Sequence, residues 1–161
     1  MNIFVTGASG YIGRAVVGEL AASGHAVTGL VRSDEKAAGL RNLGAHAVLG
    51  DITEPDSYRD HAAEHDAVVH TAFGGRRPDL ADRTAVDTLL AAARAGTTRM
   101  LLYTSGIWVL GATGDTPAFE DTPADHPAPL VTWRVPHEHL VLGAHGPHLT
   151  TAVLRPGVVY G

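Results

Sequence analysis

A doubly wound α/β fold, in which one parallel sheet carries helices on both faces in three layers, is predicted by three features of the chain. Apolar strand-like stretches alternate with helical patterns along nearly its whole length, giving six strands and five helices. The fourth strand-like stretch, AVVHTA, is near-continuously apolar, as strands covered on both faces are. A glycine-rich turn, TGASGYIG, joins the first strand to the first helix. Right-handed crossovers lay each connecting helix against the sheet, and the default strand order is 3-2-1-4-5-6.

The elements follow in order. Residues 3–5 form an apolar strand closed by Thr6-Gly7, and Ile12, Val16, Val17 and Leu20 mark the buried stripe of a helix ending at Ser23-Gly24. Residues 25–31 alternate as a second strand. A helix over 34–43, capped by Ser33 and stopped at Gly44, leads to a strand over 45–49 and a helix over 54–65. Strand 67–72, the loop Gly74-Gly75-Arg76-Arg77-Pro78, an Ala/Leu-rich helix over 79–95 ending at Gly96, and strand 99–104 come next. Residues 111–129 carry six glycines and prolines and read as a long surface loop. A helix over 131–142, with Pro136 in or near its first turn, precedes the last strand at 150–154.

With 161 residues the chain has room for a single domain. Hydrophobic residues make up 45% and charged ones 18%, which excludes a disordered or fibrous protein. A net charge of -5 and no basic cluster longer than Arg76-Arg77 argue against nucleic acid as a partner. The opening MNIFVTGASG lacks the basic and apolar regions of an export signal, and no apolar run reaches the ~18 residues of a membrane span. There is no cysteine, which removes disulfides and thiolate chemistry and makes a cytoplasmic protein the simplest reading.

Gly7, Gly10 and Gly13 stand at the mouth of the first helix, where backbone N–H groups and the helix dipole favour a diphosphate. Gly7 permits the sharp turn, Gly10 lets phosphate oxygens approach, and Gly13 lets the helix lie close to the sheet. The alternative is a tight strand-to-helix turn with no ligand. This TGxxGxxG spacing, with the later YTSG and RPGVVYG segments, resembles the short-chain dehydrogenase/reductase superfamily, and within it the extended and atypical branch of nucleoside-diphosphate-sugar epimerases and dehydratases, over nearly the whole chain. The resemblance implies a Rossmann domain whose turn, from Gly7 through Ser9, Gly10, Tyr11 and Ile12 to Gly13, holds the diphosphate of NADP or NAD. It also places Asp51-Ile52 beside the adenine, Thr71-Ala72-Phe73 and Thr104 along the ribose and nicotinamide side, and Pro156-Gly157 beside the carboxamide.

An acidic residue at the end of the second strand would bind the ribose hydroxyls of NAD, but that strand ends Leu30-Val31-Arg32-Ser33. Arg32 can pair with a 2′-phosphate and Ser33 can add a hydroxyl, so NADP is expected ahead of NAD. Asp34 reaching the ribose is the alternative.

Ser105 follows the fifth strand, at the carboxyl edge where open α/β sheets take ligands, and resembles the serine that bonds the substrate oxygen. The alternative is a turn hydroxyl before Gly106. Tyr103 points to the same side of the strand. The superfamily's acid/base, a tyrosine with lysine four residues on, is absent: the one lysine is Lys36, and none of the four tyrosines precedes it at that spacing. Matching LVTWRVPHE to that helix by Glu138 puts Leu130 in place of the tyrosine and Arg134 in place of the lysine. Arg134 can hold a ribose or phosphate but does not titrate as lysine does. His137, on the same segment, is a candidate proton-transfer group, with an ordinary surface histidine as the alternative. His61 and His65 share a helical face, without a third metal ligand, and no metal site is expected. Asp115, Glu120, Asp121 and Asp125 read as a solvated acidic face, with reach toward a substrate as the alternative.

Family chains continue past RPGVVYG into a smaller substrate domain, whereas this sequence stops at Gly161. The expectation is a single cofactor domain without that substrate domain, either as a truncated version of a longer gene product or with a partner chain closing the site, and with open sheet surface that leaves room for a homodimer. Two functions follow: an NADP- or NAD-dependent epimerase, dehydratase or reductase acting on a sugar nucleotide or small carbonyl or hydroxyl substrate, and a non-catalytic dinucleotide-binding sensor or carrier.

Overall fold

In the computed structural model, which describes residues 1–160, six parallel strands form one sheet. They are β1 (Asn2–Thr6), β2 (Ala26–Val31), β3 (His46–Leu49), β4 (Ala67–His70), β5 (Met100–Thr104) and β6 (Thr150–Leu154), in the order β3-β2-β1-β4-β5-β6. The helices are α1 (Tyr11–Ala22), α2 (Asp34–Arg41), α3 (Arg59–Glu64), α4 (Pro78–Ala95) and α5 (Arg134–Gly143). The doubly wound fold and its strand order are those the sequence predicts. No helix of the described residues is long and apolar enough to cross a membrane.

Strand alternation sorts the core into two halves. Ile3, Val5, Val27, Val31, Ala67 and Val69 face one side with Val17 of α1 and Leu40 of α2. Phe4, Val68, Leu101 and Tyr103 face the other with Leu89 of α4 and Val141 of α5. A buried leucine such as Leu89 or Leu101 stabilises the fold by about 1.5–3 kcal/mol.

Local chemistry ends the elements. Ser33 caps α2 by accepting the Lys36 N–H at 3.4 Å, and Gly24 and Gly44 take positive φ after α1 and α2. Three of the departures from the expected boundaries have a physical cause. The stretch expected as one helix over 54–65 is a 3-10 turn at Pro55–Ser57 followed by α3, because Tyr58 leaves helical geometry (φ -149) and is fully buried beside Phe4. Helix α5 starts three residues later than expected. Pro136 has no N–H and fits only where the first turn needs none. Strand β4 stops at His70 because β1 turns away at Gly7, although Thr71 N–H still reaches Thr6 O at 3.1 Å.

The long loop is fastened at its base, where Ala128 N–H donates to Trp108 O at 3.0 Å, and Asp115, Glu120, Asp121 and Asp125 are all exposed.

Candidate cofactor and active site

The carboxyl ends of β1, β2, β3 and β4 open onto a cleft of about 550 Å³. Its walls bring together Gly7, Ser9, Gly10, Tyr11, Ile12 and Gly13 from the turn, Arg32 after β2, Asp51 and Ile52 after β3, and Thr71, Ala72 and Phe73 after β4. Gly7 has φ +69, and a Cβ there would lie 2.5 Å from Ala72 N. A Cβ on Gly13 would strike the Gly7 carbonyl oxygen and come within 2.7 Å of Thr71 Oγ1. Glycine is therefore required by space as well as by dihedral angle.

Helix α1 begins with no side-chain cap, and its first ladder bond is Arg14 N–H to Gly10 O at 2.9 Å. The amides of Ile12 and Gly13 precede that bond, so this end of the helix offers donors and a positive dipole end to an anion. Asp51 accepts from Thr53 N–H at 2.9 Å and Thr53 Oγ1–H at 2.7 Å, and the Thr53 amide chiefly holds its carboxyl below the usual range against the opposing effect of burial. The glycine cradle, the uncapped helix and the carboxylate at the far wall fit a dinucleotide.

Lys36, which sequence reasoning left unassigned, also lines the cleft beside Arg32, whereas Asp34 does not. Its place in the first turn of α2, four residues after Arg32, is the signal that could have found it.

Five expected residues do not line this cleft: Thr104, Ser105, Arg134, Pro156 and Gly157. They lie around the ends of β5 and β6, where Ser105 N–H donates to Leu154 O at 2.8 Å and Ile107 N–H to Pro156 O at 3.0 Å. The Ser105 hydroxyl is buried and has no hydrogen-bond partner among the described residues. Arg134 opens α5 and is 7% exposed. Its Nη1 donates to Thr104 O and to Tyr103 Oη, both at 3.1 Å. Its guanidinium lies 5.4 Å from the Phe73 ring centroid and 4.5 Å from that of Trp133, so it backs the cleft wall through Phe73. Leu130 stands 72% exposed on the 3-10 turn Pro129–Val131.

Beneath this rim the register aligns Thr6, His70 and Tyr103 across β1, β4 and β5. His70 and Tyr103 converge with His137 of α5 on Asp82 of α4, and Thr6 joins through His70. The Oδ2 of Asp82 accepts from Tyr103 Oη–H and His137 Nδ1–H, each at 2.7 Å, and Oδ1 accepts from His70 Nε2–H at 3.3 Å. Arg134 Nη1 lies 3.9 Å from Oδ1. Because a carboxylate only accepts, His70 Nε2 carries the proton it shares with Asp82, and its Nδ1 meets the Thr6 hydroxyl at 2.6 Å. Burial pushes the Asp82 carboxyl up, but the hydrogen bonds from His137 and His70 outweigh it and hold the group well below the usual carboxylate range. Burial and the adjacent Asp82 charge push the Tyr103 phenol up, so Tyr103 stays a protonated donor.

Asp82 and His70 were not singled out in the sequence. The available signal was a carboxylate on the apolar stripe of α4, in line with Val86, Leu89 and Ala93. A second pair joins the buried Glu138 of α5 to the half-buried Arg155, with Nη2 to Oε2 at 2.6 Å. His65 Nδ1–H donates to His61 O at 2.5 Å, and no group of three or more histidines and carboxylates among the described residues is placed to hold a metal.

Fold and cleft together define a dinucleotide-binding domain. The NAD(P)H-binding family matches residues 7–158, and the chain belongs to it and to the short-chain dehydrogenase/reductase superfamily that the sequence resembles. It is thereby an NAD(P)-binding domain, and the proteins it is similar to include reductases and an epimerase. It is similar to 4-hydroxy-2-methyl-3-oxo-4-farnesyl-3,4-dihydroquinoline-1-oxide ketoreductase of Stigmatella aurantiaca, at 34% identity over 100% of this chain and 51% of that protein. The 2-alkyl-3-oxoalkanoate reductase of Stenotrophomonas maltophilia is 31% identical over 100% of this chain and 52% of its own length. Among solved structures, a UDP-glucose-4-epimerase from Stenotrophomonas maltophila with bound NAD superposes at TM-score 0.81, 26% identical over 96% of this chain and 52% of that one. The chain thus spans about half the length of the relatives it matches.

Proposed function

We propose that this chain binds NADP and reduces a ketone, with a 3-oxo carboxylic derivative as the substrate class. The observation that carries the cofactor choice is the pair of cations, Arg32 and Lys36, on the cleft wall. Two cations at the end of β2 pair with a 2′-phosphate, which NAD lacks. The carbonyl chemistry is supported by the two reductases named above, both of which have a 3-oxo compound in their names.

Within this reading the amides at the start of α1 hold the diphosphate, and Arg32 with Lys36 grips the adenosine phosphate. A bound reduced nicotinamide supplies hydride. The buried Ser105 hydroxyl, without a partner in the free chain, gains one when it donates to a ketone oxygen. Arg134, already anchored to Thr104 O, presents its remaining donors to the ribose or to the substrate. Titration with NADPH and NADH tests the cofactor assignment. Arg32→Ala and Lys36→Ala should each weaken NADPH binding roughly tenfold or more, as expected for loss of a charge-assisted hydrogen bond, and leave NADH binding unchanged. An unchanged NADPH/NADH ratio refutes the assignment.

One observation favours a binding-only role: Leu130, at the matching position for the family tyrosine, is exposed and has no proton to transfer. Under that reading the chain binds NADPH and consumes none in the presence of any ketone. Under the reductase reading NADPH absorbance falls, and Ser105→Ala slows that fall.

A further inference from the structure

Arg134 stands at the place of the family lysine, yet it does not line the cleft. It is held behind the wall. Its Nη1 donates to Thr104 O and to Tyr103 Oη and lies 3.9 Å from Asp82 Oδ1, so three groups fix one atom of the guanidinium. The guanidinium carbon is 4.5 Å from the Trp133 ring centroid and 5.4 Å from that of Phe73, both within reach of cation–π attraction.

Phe73 does line the cleft, and it is 70% exposed. An exposed phenylalanine by itself means little. This one is tied to a cation that is nine-tenths buried, so its ring stands at the wall before any ligand arrives and need not be ordered on binding.

The strand order identifies the part of a dinucleotide that meets this ring. Arg32 and Lys36, at the end of β2, take the adenosine phosphate in the reading above, and the glycine turn after β1 takes the diphosphate. The next strand in the sheet is β4, so the nicotinamide half extends over Thr71, Ala72 and Phe73. Of these three, Phe73 alone offers a flat apolar face, and flat rings stack on such faces.

We propose that Phe73 is the platform on which the nicotinamide ring stacks and that Arg134 is its positioning residue, acting through the ring and not on the ribose, in the NADP-bound state proposed above, on which the inference rests.

Calorimetric titration of the full chain with NADPH and with 2′-phospho-ADP-ribose tests this, because the second compound keeps both riboses and the diphosphate but lacks nicotinamide. The native chain should bind NADPH the more tightly of the two. Phe73→Ala should lower the ratio of the two affinities roughly three- to tenfold, the worth of one aromatic pair, through weaker NADPH binding alone. Phe73→Tyr keeps a ring and should keep the native ratio. Arg134→Met should lower the ratio as Phe73→Ala does. If Arg134 instead held the ribose, both ligands would weaken by the same factor, and an unchanged ratio overturns its assignment. Should Arg134→Met fail to fold, Arg134→Lys takes its place with the same expectation, since it keeps the charge beside Asp82 and loses the flat guanidinium that stacks. A native chain that binds neither compound sinks the NADP reading and the inference with it. A native chain that binds both, with a ratio that Phe73→Ala leaves unchanged, sinks the inference alone.

Discussion

A methyl group on Gly7 would lie 2.5 Å from the backbone nitrogen of Ala72, so the glycine turn and the end of β4 close on each other with no room for a side chain. Gly7→Ala must therefore both strain a positive φ and push the two cleft walls apart. We expect a stability loss of about 2 kcal/mol in denaturant titration, together with loss of NADPH binding by calorimetry. A variant that binds normally would show that the walls are not held by this contact.

Asp82 makes stability sensitive to acid. Its folded pKa is depressed, so the stabilisation is present above the unfolded value of about 3.9 and is lost as the pH falls through the lower folded value. Asp82→Asn leaves its donors short of an anion and should cost about 3–5 kcal/mol at neutral pH. The gap between native and variant should shrink as denaturation is repeated at progressively lower pH. A gap that is constant with pH would contradict the account.

Tyr103 acts at the opposite end of the scale. Its folded pKa is raised, so its stabilisation is complete below the unfolded value of about 10 and declines as the pH rises above it. Tyr103→Phe removes the bonds to Asp82 and Arg134 and should cost about 1–3 kcal/mol near neutrality. Thermal unfolding should show the two proteins converging in alkali.

Arg155→Met leaves Glu138, 1% exposed, without its cation. The expected cost is about 3–5 kcal/mol, against a smaller loss when Glu138→Leu accompanies it. Equal stability of the single and double variants would mean that the pair contributes nothing.

The fold was legible because its signals are local: apolar strands, Gly24 and Gly44 after helices, Ser33 before one. Of the cleft walls, the glycine turn and Arg32 were legible from their places at strand ends, while Asp51 and Thr71 came from the family resemblance. What escaped depends on contacts between distant elements. Helix α4 reads as an Ala/Leu core helix, and nothing near Asp82 in sequence shows that β4, β5 and α5 will direct donors to it. Lys36 reads as an ordinary exposed helical residue until α2 is packed beside the end of β2. The break at Tyr58 likewise arises from its burial beside Phe4, not from the propensity of its neighbours.

Because one carboxylate serves two imidazoles, a phenol and a nearby guanidinium, substitutions at His70, Asp82, Tyr103, Arg134 and His137 will not add. Evolution or engineering at this spot is confined to concerted replacement: a single swap strands the remaining members, while a matched set can turn the hub into something new.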